Sequence, residues 1–290
     1  MRTYGVYTEK MKNVKEILAR NGFSFKKAFG QNFITDGNLL KDIVREAGIG
    51  PEDTVLEIGC GAGTLTYELS QTAKRVVGYE IDRALMPVLG ETLAGCSNVE
   101  LCFSDVMKKK TADLECELGG EYKVVANLPY YITTPVIMRF VEEAKNVKTL
   151  VVMVQEEVAE RLCAEADTPA YGAITAAVDL AGEAKIVRRV PRRMFFPAPK
   201  VDSAVVRLDI DRNRAAGVDC KIYRDVVRAA FSSRRKMLAN NLMNSFSMTR
   251  TEAERLLSSC GIGSTVRGET LSAEKFKSLA KAYGEMQWKD

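Results

Sequence analysis

Five short apolar runs set the rhythm of the first half of the chain. TVLEIG (54–59), RVVGYEI (75–81), VELCFSD (99–105), YKVVANL (122–128) and TLVVMV (149–154) have the length and composition of strands. The segments between them are long enough for helices, as in AGTLTYELSQT (62–72) and TPVIMRFVEEA (134–144). This alternation predicts an α/β fold, a mostly parallel sheet with helices on both faces. AKIVRRV (184–190) and SAVVRLDI (203–210) add candidate edge strands, and DRNRAAGVD (211–219) reads as a linker. Beyond it the spacing is helical. Tyr223, Val226, Val227, Ala230 and Phe231 form one apolar stripe, and Phe276, Leu279, Ala280 and Tyr283 form another. Thr251 with Glu254 reads as a capping box, and Gly261 as a helix stop. Two domains are therefore expected: an α/β domain with an N-terminal extension over 1–210, and a small all-helical domain over 211–290. Near the N-terminus, 11–23 puts Val14, Ile17 and Leu18 on one face, which predicts a docked structural helix.

Composition narrows the chemistry. The chain has 290 residues, 46% hydrophobic and 28% charged, ordinary for a soluble globular protein. No apolar run approaches the roughly 20 residues that span a bilayer, and the N-terminus has no apolar core of a signal peptide. The seven cysteines include no C-x-x-C pair, which fits free thiols in a reducing cytoplasm. There is no histidine. That excludes a Ser-His-Asp triad, a Cys-His pair and the common histidine-containing zinc sites, and no metal is expected. Residues 211–290 carry 15 basic and 9 acidic side chains, a net of +6, against −2 for the rest. A basic segment on a near-neutral body fits a polyanionic partner, although a Lys- and Arg-rich helical face fits equally well.

Chemistry gathers at the strand ends. In LEIGCGAGTLT (56–66), a strand runs into Gly59-x-Gly61-x-Gly63 and a helix opens. Such glycines let the backbone turn tightly and approach a ligand, although a plain tight turn is the competing reading. The next strand ends in Glu80, suited to accept both hydroxyls of a ribose, and the third ends in Asp105. Together they describe an adenosine site. Position 64 is Thr, off the dinucleotide pattern. A sulfonium-bearing cofactor, S-adenosylmethionine, fits better, with Glu57 either facing its cationic end or standing as a solvated strand-end charge.

ANLPYY (126–131) follows the fourth strand. An exocyclic adenine amine is a poor nucleophile, because its lone pair is delocalised into the ring. Two acceptors gripping its protons favour a more tetrahedral nitrogen. The Asn127 side-chain oxygen and the Leu128 carbonyl can be those acceptors, with Pro129 fixing the backbone. Tyr130 offers a face for a flipped base, worth about 1–3 kcal/mol, which offsets part of the cost of unstacking.

In order along the chain, FKKAFGQNFITD (25–36), LEIGCGAGTLT, YEID, SDVM, NLPYYITTP, FFPAPKVDSAVVRL (195–208), AFSSRRKMLANNL (230–242) and GIGSTVRGETLS (261–272) resemble the motifs of the ribosomal RNA adenine-N6 dimethyltransferases, specifically the bacterial small-subunit type. The resemblance implies a Rossmann-like class I methyltransferase domain and a C-terminal helical RNA- or ribosome-binding domain. It implies that Asn32 and Ile34 contact the cofactor with Gln31 and Phe33 close by. Gly59 would line the methionine portion, Glu80 the ribose and Asp105 the adenine amine; Gly61, Ile81 and Val106 complete the set. Asn127 would serve both cofactor and target, and Phe195 would stack on the target base. Cys60 stands where many members have Pro, and Tyr131 where many have Asn or Gln.

The implied reaction is dimethylation of two adjacent adenosines near the 3′ end of 16S rRNA during small-subunit biogenesis. Expected partners are that rRNA and pre-30S particles; a monomer and no membrane association are expected. Arg188, Arg189, Arg192 and Arg193, with Arg234, Arg235 and Lys236, are the candidate phosphate contacts. KKK at 108–110 reads as a plain charged loop. Three other readings stand beside this one: a macrolide-resistance methyltransferase acting on large-subunit rRNA, an assembly factor whose binding role dominates, and an NAD-dependent dehydrogenase.

Overall fold

The computed structural model describes residues 14–26 and 29–287. The chain forms two compact units, one from residues up to 159 together with 185–210, the other from 160–184 together with 211 onward.

The first unit opens with helix α1 (Val14–Arg20), strand β1 (Phe33–Ile34) and α2 (Gly37–Glu46). There follow β2 (Thr54–Ile58), α3 (Thr64–Ser70), β3 (Arg75–Tyr79), α4 (Met86–Thr92), β4 (Val99–Cys102), α5 (Thr111–Leu118), β5 (Tyr122–Asn127), α6 (Tyr130–Glu142) and β6 (Val147–Gln155). Strands β7 (Gly182–Val190), β8 (Phe195–Phe196) and β9 (Ser203–Ile210) complete it. The seven-stranded sheet has the order β4-β3-β2-β5-β6-β9-β7. Its β4 to β6 portion is parallel, and β9 runs antiparallel to β6. All seven runs expected to be strands are strands, but of the two expected edge strands only β7 is at an edge; β9 lies between β6 and β7. Parallel strands covered on both faces must be apolar throughout; Val55, Leu56, Val124, Val125 and Val151 are each at most 1% exposed. Burying one such side chain contributes about 1.5–3 kcal/mol. The N-terminal helix docks through Val14, Ile17 and Leu18, in one cluster with Phe33, Val88 and Leu89. Residues 11–13 of the expected helix lie outside the described residues.

The site follows from the topology. From β2 the chain moves to β3 and β4 on one side, then returns to β5 and β6 on the other. Ile58 pairs with Tyr79 and with Ala126, and Tyr79 with Cys102. The carboxyl ends of four strands thus lie level at the switch in strand order, where open α/β sheets bind ligands.

In the second unit, α7 (Ala173–Ala181), α8 (Cys220–Ala230), α9 (Leu238–Phe246), α10 (Arg250–Ser259) and α11 (Ala273–Gln287) enclose a core that includes Tyr223, Leu242, Leu256, Phe276 and Leu279. The expected boundary at 210 misses part of this unit. Residues 160–184 supply Tyr171, Ala176 and Leu180 to its core, and the Tyr223 hydroxyl donates to the Ala176 carbonyl at 2.8 Å. This insertion, with α7 at its centre and the first residues of β7 at its end, joins a core whose other helices begin about 40 residues later, and local periodicity carries no sign of that.

Two local expectations are corrected. The capping box at α10 is Thr249 with Glu252, two residues before the expected pair. The sequence holds both spacings in overlap, and in the structure Glu254 pairs instead with Arg250 one turn back. The helix expected over 134–144 begins at Tyr130, with Pro129 as its N-cap.

Candidate active site

A cavity of about 270 Å³ opens at the level strand ends, lined by the loops after β2, β3, β4 and β5, by residues 29–34 and by Phe195. Each loop presents what its local chemistry allows. Gly61 and Gly63 sit at φ +54° and +80°. A Cβ at Gly61 would lie 2.9 Å from the Phe33 ring, and one at Gly63 2.9 Å from Leu89, so only glycine lets the loop turn here and pass under the N-terminal segment.

Two buried carboxyls face this loop. Glu80 is 7% exposed; its oxygens accept the Gly61 and Asp82 amides, each at 2.8 Å. Burial raises its pKa, and those backbone donors oppose the rise. Glu57 is 1% exposed, inside β2 and lining the cavity, not a solvated strand-end charge. Its Oε2 has no hydrogen-bond partner, and burial, aided by the charge of Glu80, pushes its pKa up to about 8. An unpaired buried acceptor costs about 1–3 kcal/mol, and a bound cation or donor would relieve that cost. A cation beside Glu57 would favour its ionised form, whereas a pyrophosphate beside Glu57 and Glu80 would disfavour ionisation of both, so the pair suits a cationic ligand. The donor set therefore fits S-adenosylmethionine.

Asp105 caps the turn after β4 by accepting the Met107 amide at 2.9 Å; with Val106 it lines the cavity, as does Ile81. The turn is held from behind by Arg139 of α6. This buried guanidinium donates to the carbonyls of Val106 and Lys109 and to the Thr111 hydroxyl.

The segment after β5 brings the acceptors together. Asn127 donates its side-chain N–H to the Asn32 carbonyl at 3.1 Å. A carbonyl can only accept, so this contact assigns Nδ2 and leaves Oδ1 as the acceptor of that amide. Leu128 precedes the helix cap, so its carbonyl lies outside the helical ladder. The first-turn donors, the Ile132 amide and the Thr133 hydroxyl, go to Pro129 instead. The half-buried Tyr130 is tied through its hydroxyl to Ser203 at 2.9 Å. Phe195, 5% exposed, lines the same cavity from β8.

Three arrangements escape sequence reading. Strands β1 and β8 pair antiparallel, Phe33 with Phe196 and Ile34 with Phe195, joining residues 160 positions apart. Asp82, 2% exposed, accepts Lys26 Nζ at 2.6 Å and Gln31 Nε2 at 2.8 Å. The Gln31 amide is thus committed to Asp82, and its oxygen to the Lys26 amide. Arg139 is the third. Two-residue strands show no periodicity, so nothing in the local sequence marks β1 or β8 or pairs them.

Three of the candidate RNA-contacting cations sit in ion pairs, and two of those three, Arg189 and Arg234, are exposed as well. Arg188 pairs with Asp42, Arg189 with Glu156, and Arg234 with Glu269 at 3.1 Å. Arg192, Arg193, Arg235 and Lys236 are exposed. Lys109 of the KKK run pairs with Glu117. Among the described residues no helix is long and apolar enough to cross a membrane.

The model of the ribosomal RNA adenine dimethylases matches residues 22–285. The chain belongs to that family. Its enzymes are S-adenosylmethionine-dependent rRNA adenine methyltransferases of class I fold. Similar relatives are the ribosomal RNA small subunit methyltransferases A of Geobacillus thermodenitrificans, 46% identical over 92% of this chain and 94% of that protein, and of Bacillus cytotoxicus, 45% identical over the same shares. Among solved structures, a dimethyladenosine transferase from Plasmodium falciparum superposes with a TM-score of 0.77 at 25% identity, covering 88% of this chain and 98% of its own. The 23S rRNA methyltransferase ErmE superposes with a TM-score of 0.68 at 28% identity, covering 87% and 99%. The family's fold thus serves targets in both subunits, and the higher-identity relatives carry the small-subunit name.

Proposed function

We propose that this protein dimethylates the N6 amines of two adjacent adenosines near the 3′ end of 16S rRNA, acting in the cytoplasm as a monomer on pre-30S particles. S-adenosylmethionine supplies an electrophilic methyl group on sulfur. The chain's own residues bind, orient and desolvate. Glu80 takes the ribose hydroxyls and Asp105 the adenine amine of the cofactor; Asn32, Ile34, Gly59, Gly61, Ile81 and Val106 shape its bed, and Glu57 offers its unpaired oxygen to the cationic portion.

At the target, Asn127 Oδ1 and the Leu128 carbonyl accept hydrogen bonds from the two N–H groups of the unmodified amine, and from the single N–H left before the second transfer, which draws the nitrogen lone pair out of conjugation. In each transfer the nitrogen gains a methyl as the carbon–sulfur bond breaks and loses one proton to water. Tyr130 and Phe195 hold the flipped ring between their faces. Positioning and exclusion of water then carry the rate. No histidine is needed for this chemistry. The exposed cations, Arg192, Arg193, Arg235 and Lys236, meet phosphates, and the pairs at Arg188, Arg189 and Arg234 exchange partners when RNA arrives.

The observation that carries the reading is the Asn127–Asn32 contact, which commits the amide nitrogen and leaves the oxygen as the amide's acceptor, in a residue that lines the same cavity as Tyr130 and Phe195. The test is transfer of labelled methyl groups to small subunits from cells lacking the enzyme, with naked hairpins and large subunits alongside. Four methyls per small subunit and none on large subunits is the expected result; labelling of large subunits alone would overturn it.

A further inference from the structure

Consecutive tyrosines open α6, and the structure treats them differently. Successive helical positions point about 100° apart. Tyr130 is half-buried and tied to Ser203. Tyr131 is 61% exposed, more than Phe25, Ile81, Met86 or Val201, the other large apolar side chains on the described surface. It nevertheless lines the mouth of the cavity. The backbone at Gly30, at φ +56°, runs close to this turn: a Cβ built there would lie 3.3 Å from the Pro129 ring and 3.9 Å from Tyr131 Cε1. Tyr131 is thus an aromatic ring largely open to solvent at the cavity mouth, one residue from the ring proposed to take the flipped base.

Extruding a base from a strand leaves its neighbour without a stacking partner. Whatever replaces that partner must be flat, apolar, exposed and next to the flipped base. Adjacent side chains of the first helical turn start from neighbouring positions and diverge by about 100°, so one can meet a base rotated out of the strand while the next meets the base beside it. We infer that Tyr131 is the stacking platform for the base adjoining the flipped adenosine. The inference rests on the proposed reaction and goes beyond it by assigning a second nucleotide subsite. When two neighbouring adenosines are modified in turn, the base on the platform is the other adenosine of the pair whenever that adenosine lies on the Tyr131 side. A purine gains more there than a pyrimidine, because its face is larger.

The experiment compares wild type, Tyr131→Ala and Tyr131→Phe on small subunits reconstituted from rRNA with a synthetic 3′ segment. One set of particles carries both adenosines; in the other, one of the two is abasic. Single-turnover methylation and cofactor affinity are both measured. Tyr131→Ala lowers kcat/KM on intact particles by roughly 5- to 150-fold, the value of one base on one ring, while cofactor affinity stays within twofold. Tyr131→Phe restores most of the loss. On the abasic particles the Tyr131→Ala effect shrinks to less than twofold for at least one of the two abasic positions, as a double-mutant cycle requires of contacting partners. An unchanged rate for Tyr131→Ala on intact particles, or an undiminished effect on both abasic substrates, overturns the inference and leaves the proposed reaction standing. Absence of transfer by the wild type overturns that reaction, and the platform with it.

Discussion

Asp82 is the hinge pin of the cofactor cavity. Its carboxylate is buried; burial pulls its pKa up, but hydrogen bonds from Lys26, Gln31 and the Ala84 amide outweigh that and hold it below the usual carboxylate range. The residues it grips lie on the segment that supplies Asn32, Phe33 and Ile34 to the cavity wall. Replacing Asp82 with Ala releases Lys26, Gln31 and the turn at Arg83–Leu85. Asp82→Asn keeps the side-chain acceptor for the turn but loses the charge, which separates latch from cap. Hydrogen bonds to charged groups contribute about 1.5–3 kcal/mol. The Lys26 side chain is 47% exposed, so water screens its share and the lower end applies to the ion pair alone. If the whole loss falls on closing the segment over the cofactor, affinity drops by about 13- to 160-fold. Titration calorimetry with S-adenosylmethionine measures it. Asp82→Asn lies between wild type and Asp82→Ala, and added salt narrows the gap to wild type. Because the folded pKa is depressed, the latch is complete above the unfolded value near 3.9 and opens as pH falls through the folded one. Wild-type affinity is therefore independent of this group from pH 5 to 8. A folded Asp82→Ala protein that binds the cofactor as tightly as wild type would refute the latch.

Three further outcomes are expected. Asn127→Ala removes an acceptor needed at the reacting nitrogen, so single-turnover methylation falls by on the order of 10²- to 10³-fold, while calorimetry shows cofactor affinity changed much less. Replacing Arg235 and Lys236 together with Ala reduces the slope of log K against log salt for rRNA by about 1.4–1.8; an unchanged slope places the phosphates elsewhere. Glu57, with its pKa raised to about 8, makes the cofactor-free protein most stable below the unfolded value near 4.3 and progressively less stable as pH rises toward 8. Glu57→Gln flattens that decline in thermal unfolding between pH 5 and 8, and an equally steep decline in the variant contradicts it.

Much of this protein is written locally. The runs of β2, β3, β5 and β6 were legible because a parallel strand buried on both faces has to be apolar, and those of β7 and β9 through their β-branched residues. Gly61, Gly63, Glu80, Asp105 and Asn127 could be singled out because each stands at or just after the end of a strand, where the turn constrains the residue type. The amphipathic stripes of α8 and α11 were legible for the same reason, since burial on one face imposes a period. The capping box was misplaced because two overlapping spacings satisfy one local rule, and only packing of the helix chooses between them.

What tertiary structure alone decided are the couplings between distant positions. Asp82 looks like any N-cap until Lys26 and Gln31 arrive from 50 residues away. Arg139 sits in an apolar helix for no local reason, and its partners are main-chain carbonyls, which have no sequence signature. The β1–β8 pair is too short to show periodicity, and residues 160–184 join a core built mostly from residues after 210. Residue types report the environment each side chain needs; they do not report which remote atoms provide it. That choice is made by chain topology, and it turned a set of recognisable strand ends into one cavity with a defined mouth.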